Sequence, residues 1–242
     1  MGKIIYFFIS HPLIIFAALI LIAIFLWLMK FEKKLNLKWK EALLVALVHV
    51  IVGWSCMRLL AIMEAGGDLK KAANIRLYGA IFVLPFLYYA WAKLTKRNTA
   101  LVMDIAAVCV IFGAISGRLN CLTSGCCQGT LMFNSDTLRW PIRGLELIFY
   151  TIFLMYYCGK IMKRKTHGEV YSIYLISYGV LRLICEFVRV EFTTQVGVFH
   201  LAHIWSMISI AAGALLYYRV CKNQADGKAI KISKKNKEGT RK

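Results

Sequence analysis

The sequence predicts an all-α protein that crosses a membrane as a bundle of about seven helices. Hydrophobic residues make up 60% of the 242 residues and charged residues only 18%, a balance far from that of soluble proteins. Apolar stretches of about 20 residues, enough helix to cross roughly 30 Å of hydrocarbon, recur along the chain. They predict spans at residues 12–29, 41–63, 77–92, 99–117, 143–162, 169–188 and 200–218.

The two ends of the chain have different compositions. No small-residue cleavage site follows the first apolar stretch, so we expect an anchor rather than a removed signal peptide. We expect one transmembrane domain over residues 1–218 and a disordered basic tail, residues 219–242, near anionic lipid. The net charge of +19 is concentrated between the spans and in this tail. It therefore indicates topology rather than nucleic-acid binding, with RNA binding by the tail as the less favoured alternative.

The basic residues are distributed unequally across the membrane. In a seven-pass arrangement, 21 of the 31 lysines and arginines fall on one side, which the positive-inside rule places in the cytoplasm with the tail. The N-terminus is then outside. Seventeen of those 21 are lysines, whereas most of the remaining basic residues are arginines: Arg58, Arg76, Arg118, Arg139, Arg143, Arg182 and Arg189.

Arginines in the outer half of the spans indicate a site for an anion. A guanidinium binds phosphate through two parallel hydrogen bonds, and placing it in hydrocarbon costs several kcal/mol unless it faces a protein or water cavity. We therefore expect these outer arginines to converge on a cavity that accepts a lipid head group: Arg58, Arg76, Arg118, Arg182 and Arg189. The alternative is that each arginine extends separately to the membrane surface.

One face of the sixth span carries a polar stripe. Tyr178, Arg182, Glu186 and Arg189 stand at positions i, i+4, i+8 and i+11 of an otherwise apolar segment, a spacing that places them on one helical face. The charges can pair with one another and stay fixed for a ligand. The alternative is that Glu186 only neutralises an arginine so that the helix can insert.

The glycine-rich segment from Gly113 to Thr130 contains three clustered cysteines, Cys121, Cys126 and Cys127. Three interpretations remain open. A disulfide between Cys121 and either neighbour is the most favoured. The second is that Cys126, as a thiolate beside arginines, is a covalent carrier of an acyl or diacylglyceryl group. A zinc site is the least favoured, because histidine and the usual ligand spacing are absent, and we expect no metal.

Several motifs, in order, resemble one known family. They are Gly117-Arg118-Leu119 with Gly125 and Gly129, then Pro141 and Glu146, then Tyr178-Gly179 with Arg182, Glu186, Phe187 and Arg189, and finally Ser206. This set resembles the motifs of the prolipoprotein diacylglyceryl transferases, and it covers most of the chain from about Arg58 to Met207. The predicted seven-pass topology agrees with that family.

The resemblance implies a function and a set of site residues. The reaction would transfer the diacylglyceryl group of phosphatidylglycerol to a cysteine thiol of a lipoprotein precursor or a related acceptor, in the bacterial inner membrane and without a cofactor. The candidate catalytic residues are Arg118, Arg182, Glu186, Glu146 and Cys126. The candidate substrate-binding residues are Arg58, Tyr78, Gly117, Tyr178, Gly129, Arg189 and His203.

Four positions depart from the family pattern. Asn120, Cys121 and Cys126 occupy places where the family has Gly, Asn and Glu, and Tyr78 precedes Gly79 where the family has His. The departures at Tyr78 and Cys126 favour a second interpretation, a non-catalytic lipid-binding or immunity-type membrane protein on the same scaffold. A third and weaker one is a thiol–disulfide membrane protein built on the cysteine segment.

Overall fold

The structure is a computed structural model that describes residues 12–69, 76–125, 127–132, 137–163, 168–190, 195–196 and 199–239. Eight helices and one two-stranded hairpin make up its regular structure in these ranges. In chain order they are α1 (Pro12–Met29), α2 (Glu32–Leu35), α3 (Trp39–Glu64), α4 (Leu77–Leu94), α5 (Thr99–Ser124), α6 (Ile142–Lys163), α7 (Val170–Phe187), β1 (Gln195–Val196), β2 (Phe199–His200) and α8 (Leu201–Gly239).

The predicted membrane bundle is confirmed. Within the described ranges, the six helices α3 to α8 are long and apolar enough to cross a membrane. Helix α1 adds 18 residues that are also apolar throughout, about 27 Å of helix at 1.5 Å per residue. Five of the predicted spans match helices α1, α3, α4, α6 and α7 in position, with differences of at most two residues at their ends.

Two boundaries differ from the sequence prediction. Helix α5 continues past residue 117 to Ser124, so that Arg118 lies inside the helix rather than at its exit. Helix α8 continues past residue 218 to Gly239, into the segment whose composition predicts disorder. The prediction of disorder rests on high charge and few apolar residues. It does not consider that lysine, alanine and glutamate have good intrinsic helix propensity.

Helix α5 is the centre of the bundle. It packs against α1, α4, α6 and α7, and most of its length is buried. Its small and branched side chains allow this, since they let neighbouring helices approach. Fully buried examples are Val102, Ile105, Ala106, Ala107, Val108, Cys109 and Ile111.

Glycines permit two close helix contacts. A Cβ atom at Gly79 in α4 would lie 2.3 Å from the carbonyl oxygen of Cys56 in α3. Helices α7 and α8 meet in the same way, because a Cβ at Gly179 would lie 2.9 Å from the Ser206 carbonyl oxygen. These contacts allow α3 to pack closely against α4, and α7 against α8.

The lysine-rich end of the bundle is held by polar contacts of its own. Arg97 binds Glu41 in α3 and donates from Nε to the carbonyl oxygen of Leu35 at 2.7 Å. The buried carboxylate of Asp104 accepts from the backbone N–H groups of Gly168 at 2.6 Å and Tyr171 at 3.1 Å, where α7 begins. Asp104 thereby satisfies donors that a helix start leaves open. The candidate site residues lie at the opposite end of the bundle.

Candidate functional site

A single carboxylate, Glu146 in the second turn of α6, is the centre of the site. It is fully buried and accepts hydrogen bonds from three arginines. Arg118 approaches it at 2.8 Å through Nε and at 3.0 Å through Nη2. Arg182 Nη1 lies 3.2 Å from Oε1, and Arg189 Nη2 lies 2.9 Å from both oxygens. Three of the five arginines expected to converge, Arg118, Arg182 and Arg189, therefore meet at one carboxylate. Arg76 instead pairs with Glu64 through Nε at 2.6 Å.

Glu186 is the second carboxylate of the cluster. Arg182 Nη2 lies 3.1 Å from its Oε2 atom, one helical turn away, and Arg189 Nε lies 3.8 Å from the same atom. Three guanidiniums and two carboxylates leave one positive charge in excess. A buried group of charges is stable only when its members are paired, and this arrangement pairs all five while keeping a net attraction for an anion.

Four separate chain segments supply these five side chains. Arg118 comes from the last third of α5 and Glu146 from the start of α6, while Arg182 and Glu186 come from the last two turns of α7. The spacing predicts that Arg189 continues the helical stripe. It does not, because α7 ends at Phe187. It reaches Glu146 from extended backbone instead.

A three-segment ladder, formed by residues 128–132, 138–140 and 188–190, fixes that backbone. Gly129 pairs antiparallel with Arg189, and Leu131 pairs antiparallel with Arg139. The N–H of Val190 donates to Gln128 at 3.1 Å. A Cβ at Gly129 would lie 2.3 Å from the carbonyl oxygen of Trp140, so only glycine lets the three segments come together, and the ladder places Arg189 over Glu146.

Aromatic residues lie one turn deeper in the bundle. Tyr178, four residues before Arg182, stacks on Tyr150 with ring centroids 6.0 Å apart and meets the edge of Tyr78 at 5.5 Å. The Tyr78 hydroxyl lies 2.7 Å from Ser206 Oγ in α8. Sequence reasoning selected Tyr78 and Tyr178 but missed Tyr150, although its position four residues after Glu146 places both on one face of α6.

Three further predicted residues, Arg58, Gly117 and His203, lie outside the five-residue cluster. Arg58 is half-buried on α3 and is not one of the three arginines that bind Glu146. Gly117 adjoins open space, since a Cβ there would meet no heavy atom within 4 Å. His203 lies at the start of α8, where Nδ1 accepts from the His200 N–H at 3.2 Å and the ring lies 4.9 Å from that of Phe187.

The cysteine segment lies next to Arg118. Arg118 Nη1 is 3.8 Å from Cys121 Sγ, and the sulfur atoms of Cys121 and Cys127 are 4.0 Å apart. That separation is about twice the length of a disulfide bond, so the predicted bridge between these two residues is not formed here. Cys126, and with it the pairing with Cys121 and the carrier role, lies outside the described residues. In the described ranges, no group of three or more His, Cys, Asp or Glu side chains is placed to hold a metal ion.

An open cleft of about 420 Å³ lies at the end of the bundle that carries the cluster. Its walls include Leu122 from α5, Gly129 from the ladder, and Arg139, Trp140, Arg143 and Gly144 at the start of α6. Arg143 Nη1 donates to the Cys121 carbonyl oxygen at 3.1 Å. Arg143 lies three residues before Glu146 on α6, and Cys121 lies three residues after Arg118 on α5. The bond between Arg143 and Cys121 is therefore about one helical turn outward from the arginine cluster.

Comparison with known proteins decides the family. The family model for prolipoprotein diacylglyceryl transferase matches residues 4–219, which is most of the chain. The chain belongs to this family. The cluster residues Arg118, Glu146, Arg182, Glu186 and Arg189 all fall within the matched range.

Individual members of the diacylglyceryl transferase family are similar at low identity. A phosphatidylglycerol–prolipoprotein diacylglyceryl transferase of Dehalococcoides mccartyi is 21% identical over 236 residues, covering 88% of this chain and 91% of that protein. Proteins of the same name from Clostridium tetani and Helicobacter pylori are 27% and 26% identical over 157 and 174 residues. These matches cover 58% and 64% of this chain, and 62% and 61% of those proteins.

The central position of Glu146 makes its charge essential to the fold. We expect Glu146→Gln to lower the free energy of unfolding by about 3–5 kcal/mol, because one carboxylate then faces three buried guanidiniums. Thermal melting of the protein purified in detergent measures this loss. Glu32→Gln, at an exposed acid in α2, is the control and should melt like wild type. Equal melting temperatures for Glu146→Gln and wild type would contradict the central role of this carboxylate.

Proposed function

We propose that this chain transfers the diacylglyceryl group of phosphatidylglycerol to a cysteine thiol of a lipoprotein precursor. Its family and the names of its relatives support the reaction class. The observation that carries the proposal is the buried group of Arg118, Arg182 and Arg189 around Glu146. It holds guanidinium donors fixed inside an apolar bundle, which is what binding and release of a lipid phosphate require.

The reaction is a displacement at carbon. The acceptor cysteine loses its proton and attacks as a thiolate. Its sulfur forms a bond to the glyceryl carbon that carries the phosphate ester, the carbon–oxygen bond breaks, and glycerol phosphate leaves with the electron pair. The leaving group gains negative charge during this step, so stabilising that charge is the main task of the site.

Arg118 and Arg182 are the groups that we assign to the phosphate. Donors that are already oriented stabilise developing charge without reorganisation, and they act more strongly where water is excluded. The carboxylate contacts leave donors to spare, because each guanidinium has five N–H bonds and each of these two binds the glutamates through two of its nitrogens. Arg189, with its contacts to both carboxylates, holds the cluster together.

The two glutamates have different roles in this proposal. Glu146 accepts hydrogen bonds from three arginines at 2.8–3.2 Å, so taking up a proton would disrupt the whole cluster. We therefore assign it a positioning role. Glu186 pairs with two of these arginines rather than three, at 3.1 and 3.8 Å, and is the better acceptor for the thiol proton.

Residues around the cluster complete the substrate site. Tyr178 and Tyr78 form its floor, Gly117 borders the open space beside Arg118, and His203 lies at the rim formed by α8. Arg58 is proposed to contact the head group from α3, and Gly129 to bind substrate along the cleft wall as well as to fix the ladder. Cys126 remains a predicted carrier, although the reaction does not need one when the acceptor thiol attacks directly.

We further propose that the N-terminus and the cluster end face the outside of the bacterial inner membrane, with the C-terminal tail in the cytoplasm. Lysines flank the opposite end of the bundle, where α3 and α5 begin and α6 ends, as the positive-inside rule requires of a cytoplasmic face. Lipoprotein precursors would then meet the site on the outer side of the membrane.

The geometry at Arg182 predicts that charge alone is insufficient. Arg182→Lys keeps the positive charge, but a single ammonium cannot bridge Glu146, Glu186 and a phosphate at once, because it lacks the planar fork. We expect the transfer rate from labelled phosphatidylglycerol to a lipoprotein-precursor peptide to fall at least about a hundredfold, the scale for losing one fixed donor to developing charge. Arg219→Lys, at an exposed arginine of α8, should retain full activity. Equal rates for Arg182→Lys and wild type would show that the phosphate binds elsewhere.

The orientation is tested by labelling cysteines in intact cells. Two variants are compared, one retaining only Cys127 beside the cluster and one retaining only Cys221, which is exposed on α8. We expect a membrane-impermeant maleimide to label Cys127 in intact cells and to reach Cys221 only after permeabilisation. The reverse pattern would mean that the orientation is inverted.

A further inference from the structure

We propose that the open cleft beside the arginine cluster binds a glycerol phosphate group through Arg139 and Arg143. This inference rests on the proposed function, since that reaction supplies the two possible ligands. One is the head group of the incoming phospholipid, and the other is the glycerol phosphate that departs. Both offer the same chemistry, a phosphate bearing a glycerol.

The charge of the cleft supports an anionic ligand. Among the residues that the structure describes, its walls contain two guanidiniums and no carboxylate. Arg139 and Arg143 each donate through Nη1 to a backbone carbonyl oxygen, Gly129 at 3.2 Å and Cys121 at 3.1 Å. These bonds orient the two side chains and use one nitrogen of each. In the part of the chain that the structure describes, neither arginine forms an ion pair with a carboxylate, so both keep donors for a phosphate.

The shape and backbone of the cleft agree with this ligand. Its volume of about 420 Å³ falls in the range of small-molecule sites. The first turn of α6 borders it at Gly144, where an added Cβ would meet no heavy atom within 4 Å. The partial positive charge of a helix start adds to that of the two arginines. Trp140 and Leu122 supply apolar walls suited to the carbon skeleton of glycerol.

The position of the cleft gives it a role in the reaction. Arg143 lies one turn outward from Glu146 on the same helix, and its partner Cys121 lies one turn outward from Arg118. A phosphate that enters or leaves the buried cluster at this end therefore meets a second pair of guanidiniums. We infer that the cleft holds the phosphate group outside the reacting position, either before the lipid is bound at the cluster or after glycerol phosphate is released.

The test measures binding of radiolabelled glycerol phosphate to the purified full-length protein in phosphatidylcholine nanodiscs. Arg143→Gln and Arg139→Gln should each raise the dissociation constant about tenfold, the scale for losing one charge-assisted contact. Arg219→Gln, the matched exposed arginine, should leave it unchanged. Arg182→Lys distinguishes binding at the cleft from binding at the buried cluster, because glycerol phosphate binding at the cleft should persist in that variant. Arg139 is exposed, so its variant should fold even if the Arg143 variant does not.

A parallel measurement of KM for phosphatidylglycerol shows whether the cleft binds the head group of the incoming lipid or the departing glycerol phosphate. If the cleft holds the departing anion, the two cleft variants weaken glycerol phosphate binding and leave KM unchanged. If it also receives the lipid head group, KM rises in the same variants. The proposal is overturned if neither quantity changes, or if Arg182→Lys alone removes all glycerol phosphate binding. Because binding needs no turnover, a wild-type protein that binds glycerol phosphate but transfers no lipid would contradict only the proposed function.

Discussion

Charges inside an apolar bundle must neutralise one another, and in this protein the shared counterion is Glu146. Its two oxygens accept from Arg118, Arg182 and Arg189, which come from three different chain segments. Without this carboxylate three buried guanidiniums would share Glu186 as the one remaining carboxylate of the cluster, which is costly inside an apolar bundle. With it and Glu186, the cluster is paired and still carries one positive charge in excess. The same arrangement thus pairs the buried charges of the fold and, in the reaction that we propose, attracts a lipid phosphate.

The surrounding structure depends on keeping those partners in place. Helix contacts at Gly79 and Gly179 bring α3, α4, α7 and α8 together. The three-segment ladder turns the chain after α7 so that Arg189 returns to Glu146. The cleft lies one turn further out, where Arg143 connects the start of α6 to α5. The fixed inner cluster and the more open outer pair of arginines are the two positions that we propose for a phosphate along one path.

Much of this could be predicted from the sequence, because hydrocarbon imposes strict rules. Span positions follow from apolar length, and the separation of lysine from arginine indicates the end of the bundle at which the buried charges lie. The turn spacing from Tyr178 to Glu186 correctly identifies one helical face. Periodicity could not show that α7 ends before Arg189, since the helix stops where backbone pairing with Gly129 replaces it. Nor could it reveal Glu146 as the centre, because that role depends on contacts between residues 28 to 43 positions apart.

The most direct test is an experimental structure of the protein with a phosphatidylglycerol analogue. In this analogue a carbon atom replaces the ester oxygen between the diacylglyceryl group and the phosphate, so that transfer is impossible. The account predicts that phosphate oxygens lie within hydrogen-bond distance, about 3 Å, of the guanidinium of Arg118 or Arg182. Glu146 should still bind Arg189 in that complex. A head group bound without contact to any of these three arginines would contradict the central claim that the buried cluster is the phosphate site.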